Sequence, residues 1–444
     1  GNITADNNVN LNSSTLVFGA DSVITSTNAN ISLGSSGITV NGANNNLKLD
    51  AAGTVMQDAA ATGITVDNLI VESGKMQQLL SQQNNVKNLS IKGKDAGSIL
   101  VVDGVTRFNG TMDNLLVTVA DSNIKGDVLI ENYQANTGKI TINSAINTSK
   151  YNDAHNGNIT VKADGDITTA SGADLNASDN ISINSKKGSV VTIGNVTAKN
   201  AVDINAAYDI TADGNLISNN SDITLDAGGN ITTNGNVNAY DHLIANAKGD
   251  IAINGEITTE NGSAVLKSNS GSITTNGNVN VYDNVIANAA GDIATNGDIT
   301  TENGSVVLNS SAGSVTMQNI TANNKVDIDA VQNITADGNL TSNNGDITLD
   351  AGGNITTNGK TKARNNVTAN AKGDINANND VTSTNANVEL NAGGSITTNS
   401  IVNALNNVIA NANGNIATNG DVTAETGKAV LNSKSGSVTM QNVA

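Results

Sequence analysis

A β-branched anchor residue returns at nearly constant spacing through the second half of the chain. It stands at Ile210, Ile231, Ile251, Ile273, Ile293, Val315, Ile334, Ile355, Ile375, Ile396, Ile416 and Val438. These anchors span 228 residues in eleven intervals, about 20.7 residues each, which is a solenoid period. Most anchors follow Gly and then Asp, Asn or Ser, as in Gly249-Asp250-Ile251 and Gly271-Ser272-Ile273. Within one period lie three short alternating stretches, for example Ile231-Thr232-Thr233, Val237-Asn238-Ala239 and Leu243-Ile244-Ala245. Alternation of period two reads as strand, and none of the three is long enough for a helix. Three strands and three turns in about 21 residues predict an all-β fold, a right-handed parallel β-helix with coils stacked about 4.8 Å apart.

Composition fits a narrow stacked interior. The chain has 444 residues with 2% aromatic, no Trp, no Pro and no Cys, yet 37% hydrophobic. Pro would interrupt the ladders, and large rings would not fit between stacked coils. The aliphatic content also argues against disorder. Three residues after each anchor runs a polar column: Asp213, Asn234, Asn254, Asn276, Asn296, Gln318, Asp337, Asn358, Asn378, Asn399, Asn419 and Gln441. A second column holds Asp226, Asn246, Lys267, Asn288, Asn309, Asp329, Asp350, Asn370, Asn391, Asn411 and Asn432. Asn suits tight corners, and stacked amides can hydrogen-bond from coil to coil. The Asn of the first column are therefore expected to be a structural ladder.

Larger duplications overlie the period. Residues 230–271 return as 272–313, and Ile210 to Asn234 returns as Ile334 to Asn358. Such copying favours length or valency over one unique pocket. Residues 1–137 follow the same chemistry with uneven spacing, and 138–444 are regular. Lys75 to Gln83 reads as a helical turn, and the region near 75–98 as a lateral insertion. One continuous rod of about 21 coils is expected, roughly 100 Å long at 4.8 Å per coil. The opening at Gly1 and the close at Val443-Ala444 within a unit read as a processed form or an excised piece.

Charge excludes one class of partner. Twenty-two basic against 40 acidic residues give a net charge of −18, so nucleic acid is not an expected partner. No apolar run reaches the roughly 20 residues of a membrane-spanning helix.

Repeats such as Ile223-Thr224-Leu225-Asp226-Ala227-Gly228-Gly229-Asn230-Ile231-Thr232 and Leu49-Asp50-Ala51-Ala52-Gly53-Thr54-Val55-Met56-Gln57 resemble the exoproteins of bacterial two-partner secretion, the filamentous-haemagglutinin-like adhesins. The resemblance covers most of the chain, although the family's N-terminal secretion domain is not recognisable in residues 1–137. It implies a β-helical shaft threaded unfolded through an outer-membrane pore partner. The product would be displayed on, or secreted from, a Gram-negative cell surface to contact host-cell, bacterial or matrix surfaces.

Parallel β-helices also house polysaccharide-active enzymes, which gather carboxylates with Arg, Lys or His. The chain has two His, His155 and His242, and two Arg, Arg107 and Arg364. His242 occupies a slot that its copied unit fills with Asn284, so a unique catalytic role is not expected. His155 and Asp153 fall in an apparent loop. Asp327 and Asp329 share a strand face and suggest adventitious Ca²⁺ binding, but a β-roll calcium motif is absent. Lys248-Gly249-Asp250 and Lys372-Gly373-Asp374 sit at the corner where other coils carry Gly-Asn or Gly-Ser, so they read as turns. Asn-x-Thr triplets such as Asn319-Ile320-Thr321 are expected from composition. The Thr pairs at 232/233 and 274/275 are interrupted by Ala252-Ile253, which breaks any flat Thr array. No catalytic residue, cofactor or metal is expected. The leading expectation is a non-enzymatic adhesin shaft with end-to-end self-association into filaments. The alternatives are a polysaccharide-active β-helix enzyme and the stalk of a contact-dependent toxin exoprotein.

Overall fold

The computed structural model describes residues 1–74, 77–93, 106–110, 114–120, 126–132, 135, 137–148 and 157–444. Every regular element among them is a β-strand. Strands pair in parallel from coil to coil, for example Ile231↔Ile251, Val237↔Ile257 and Leu243↔Ala264. The fold is a parallel β-helix with three short strands in each regular coil. It has about 19 turns, against the 21 expected from length divided by period. The difference arises early, where steps are long: Gln78 pairs with Arg107 and Val128 with Ile159, intervals of 29 and 31 residues.

Two compact units divide the chain, Gly1–Gly229 and Asn230–Ala444. In the second unit each coil begins with a three-residue strand such as Ile231–Thr233, continues with Val237–Ala239 and ends with the five-residue strand Leu243–Ala247. Their burial patterns alternate, so the coil sends two, two and three residues inward. Successive side chains of a strand point to opposite faces, which makes this alternation obligatory. Ile231, Val237, Leu243 and Ala245 are fully buried, and Ile273, Val315, Ile334 and Ile396 stack in the same anchor column. Burying one such aliphatic side chain contributes about 1.5–3 kcal/mol. The anchor is β-branched because it must be both extended and tightly packed.

The corners set the limit on side-chain size. A Cβ on Gly304 would lie 1.9 Å from the carbonyl oxygen of Asp283 in the coil below, and one on Gly255 2.2 Å from the carbonyl oxygen of Gly235. These glycines are required by stacking, since a side chain would strike backbone.

The first unit is less uniform. Gly63–Ser73 is an 11-residue strand that pairs with both Gly37–Val40 and Asn46–Ala51 of the preceding coil. The two shorter strands are joined by a turn in which Asn44 has φ 60° and Gly42 has φ 107°. On its other side, Gly63–Ser73 pairs with Asn85–Gly93. From Ile159 onward the coils adopt the regular pattern. The helical turn expected at Lys75–Gln83 is corrected: Gln77–Leu79 is a strand paired with Val55–Gln57. Gln77 is 2% exposed, so an inward glutamine hid the period-two alternation from a reading based on apolar residues. Of the region near 75–98 expected as a lateral insertion, Asn85–Gly93 lies within a sheet, and residues 75–76 and 94–98 lie outside the described residues.

Candidate functional site: corner amides and a surface groove

The first polar column forms side-chain chains along a corner of the second unit. The Nδ2 of Asn254 donates to Oδ1 of Asn234 at 2.7 Å, Asn276 to Asn254 at 2.6 Å and Asn296 to Asn276 at 2.7 Å. A second run starts at Asp337: Asn358 donates to it at 2.8 Å, followed by Asn378 to Asn358, Asn399 to Asn378 and Asn419 to Asn399 at 2.7–2.8 Å. An amide has both a donor and an acceptor on one planar group, so one residue type can continue the series indefinitely. Glutamine at 318 is one methylene longer and ends the first run.

Two further runs have the same form. Asn366 donates to Asp346, Asn387 to Asn366 and Asn407 to Asn387 at 3.0–3.2 Å. In the second column, Asn370 donates to Asp350 at 2.6 Å, Asn391 to Asn370 at 2.8 Å and Asn411 to Asn391 at 2.9 Å. In the first unit, Asn158 donates to Asp127 and Asn180 to Asn158 at 2.9–3.0 Å. In these runs every donor points to the lower-numbered coil. Where Asp takes part, it stands at the start, the one position that needs only an acceptor.

The second column also forms a wall of a groove of about 880 Å³ that crosses seven coils of the second unit, from Asn309 to Lys434. Its floor is the strip Ala330, Ala351, Ala371, Ala392 and Ala412, small residues that end the five-residue strands. Asp329 and Asp350 are direct partners across adjacent coils. Burial holds the Asp329 carboxyl above the usual carboxylate range, and the charges of Asp327 and Asp350 push it the same way. In the first unit burial likewise raises Asp203, with Asp222 and Asp226 adding to the effect. Among the described residues, no group of three His, Cys, Asp or Glu is placed to hold a metal ion.

The remaining sequence candidates take structural positions. Asp250 and Asp374 of the two Lys-Gly-Asp corners accept the backbone N–H of Ser272 and Ser395, each at 2.7 Å. The Nδ1 of His242 accepts the backbone N–H of Ser263 at 3.0 Å. Arg364 lies beside Asn344 at 3.3 Å. His155, Asp153 and the Arg107 side chain lie outside the described residues. Sequence reading missed an internal polar contact in the first unit. Gln57 Nε2 donates to Asn84 Oδ1 at 3.0 Å, and Asn84 Nδ2 donates back to Gln57 Oε1 at 2.9 Å. The only signal for it was glutamine and asparagine at inward positions of irregular coils.

No protein-family model matches the chain, and no curated protein or solved structure matches it. No helix among the described residues is long and apolar enough to cross a membrane.

Proposed function

We propose that this chain is a non-enzymatic β-helical shaft of a secreted or cell-surface bacterial protein, acting as an adhesin spacer that holds contact surfaces away from the cell. The observation that carries this reading is the spending of corner side chains on the neighbouring coil. The runs from Asn234 to Asn296 and from Asp337 to Asn419 tie coil to coil, and the inward columns repeat the same aliphatic residues. Such uniformity supports a spacer, in which each coil does the same mechanical work. The export route implied by the resemblance, through an outer-membrane pore partner, belongs to the same proposal, as does contact with host-cell, bacterial or matrix surfaces.

The groove with Asp329 and Asp350 supports a second reading, a polysaccharide-active protein, because paired carboxylates are the usual machinery of glycoside chemistry. Electron microscopy of the full chain, together with retention of chain-coated beads on host-cell and matrix surfaces, tests the first reading. Elongated particles and saturable retention are expected. Compact particles, or turnover of acidic polysaccharides abolished by Asp329→Asn, would overturn it in favour of the second.

A further inference from the structure

We infer that the amide ladders decide which asparagines of this chain undergo deamidation, and that Asn303 is the first modification site of the folded second unit. Asn followed by Gly is the pair most prone to this chemistry, because glycine leaves the attacking backbone nitrogen unhindered. The nitrogen of the glycine forms a bond to Cγ of the asparagine, the Cγ–Nδ2 bond breaks, and ammonia leaves. Water then opens the cyclic imide to aspartate or isoaspartate. Both the leaving nitrogen and the carbonyl oxygen must be free to turn toward the backbone.

Within residues 230–444 the Asn-Gly pairs differ sharply in that freedom. Asn254, Asn276 and Asn358 are followed by glycine, and each is held on both sides, donating to the coil below and accepting from the coil above. Asn296 and Asn419 end their runs and are held by the donated bond. Asn303 and Asn413 precede Gly304 and Gly414 and are exposed. Their side chains make no hydrogen bond among the described residues; their backbone N–H groups donate to Tyr282 and Ala392, and their backbone oxygens accept from Asn324 and Ser435. At Asn413 the attacking nitrogen is itself held, since the Gly414 N–H donates to the Gly394 oxygen at 2.8 Å, which leaves Asn303 as the freer site. Freeing a doubly held amide breaks two bonds, so its conversion is expected to be at least about tenfold slower than at an unheld one.

The ladder also makes conversion consequential. An aspartate within a run presents acceptors to the acceptor oxygen below it, where the amide had donated. Aspartate is compatible with the head of a run, as at Asp337, Asp346 and Asp350, and incompatible with its interior.

The test is peptide mass spectrometry of the full chain aged at mildly alkaline pH, natively and in urea. In the native chain Asn303 should gain the one-dalton signature first, Asn296 and Asn419 next, and Asn254, Asn276 and Asn358 last. In urea the order should collapse. Asp337→Ala removes the acceptor for Asn358 and should speed conversion at Asn358 while leaving Asn276 unchanged. Asp337→Asn keeps an acceptor and should leave Asn358 slow. Equal native rates at Asn276 and Asn303, or equal rates at Asn358 in the two Asp337 variants, would overturn the inference.

Discussion

In residues 46–93 two amides, Gln57 and Asn84, sit inside the coil and bond reciprocally, with Asn84 also accepting the backbone N–H of Ile64 at 2.8 Å. In residues 230–444 the amides stand at corners and bond in open series. A closed pair satisfies itself and tolerates irregular neighbours. An open series needs the next coil to carry an amide at the same height, and the strict period of residues 230–444 supplies one in coil after coil. The comparison teaches that in this fold amides facing inward close on each other, whereas amides at the corners are chained from coil to coil.

The largest expected effect concerns stacking clearance. Gly304→Ala in the regular unit should cost about 3 kcal/mol, because its Cβ would strike backbone and the coil must part to admit it. Gly19→Ala in the first unit, with nothing within 4 Å of the new Cβ, should stay within about 0.5 kcal/mol. Urea titration of both variants checks this, and similar losses would show that the units are equally tight.

A smaller effect separates closed from open amides. Asn84→Leu leaves the Gln57 amide and the Ile64 N–H buried without their partner and should cost about 2–3 kcal/mol. Asn276→Leu removes two bonds at an exposed corner, where water replaces them, and should cost about 1 kcal/mol. Hydrogen exchange at the flanking strands would reveal the ranking, and a reversed order would refute the contrast.

Each unit also holds a carboxylate raised by burial, Asp203 in the first and Asp329 in the second. A folded pKa above the unfolded value favours the protonated form. That stability is present below the unfolded pKa, near 3.8, and is lost as pH rises through the raised folded value. Asp329→Asn should therefore stabilise the chain by up to about 1 kcal/mol at neutral pH, with the gain fading on acidification. Thermal melts from pH 3 to 7 test the sign, and a variant destabilised at pH 7 would contradict it.

The smallest effect lies in the inward threonines. Thr169 in the first unit accepts the backbone N–H of Ile193 at 2.9 Å, so Thr169→Val should cost about 1 kcal/mol. Thr275 in the second unit is buried with its hydroxyl unpaired. Thr275→Val should be neutral or stabilising by about 0.5 kcal/mol, because it removes a desolvated polar group without opening a cavity. Equal losses in calorimetry would mean that the Thr275 hydroxyl has a partner in solution.

Much of the regular architecture is legible from residues alone. The anchor spacing from Ile210 to Val438 gives the coil, and the alternation in Leu243–Ala247 gives the inward positions, because strand geometry leaves a side chain only two directions. The Asn columns are legible too, since a corner repeated every 21 residues must stack on its own copies. The strand at Gln77–Leu79 was illegible because one of its two inward residues, Gln77, is polar. A pattern rule that equates burial with apolar character cannot see glutamine facing the core.

The repeat determined the period, the inward residues and the corner columns through local geometry, which each coil carries by itself. Three features were decided only by tertiary structure: the common direction of the amide donors, the pairing of Gln57 with Asn84 and the groove above the alanine strip. Each depends on which atoms face one another across coils more than 20 residues apart. Sequence spacing can align residues in a column, but it cannot say which amide edge turns toward which neighbour.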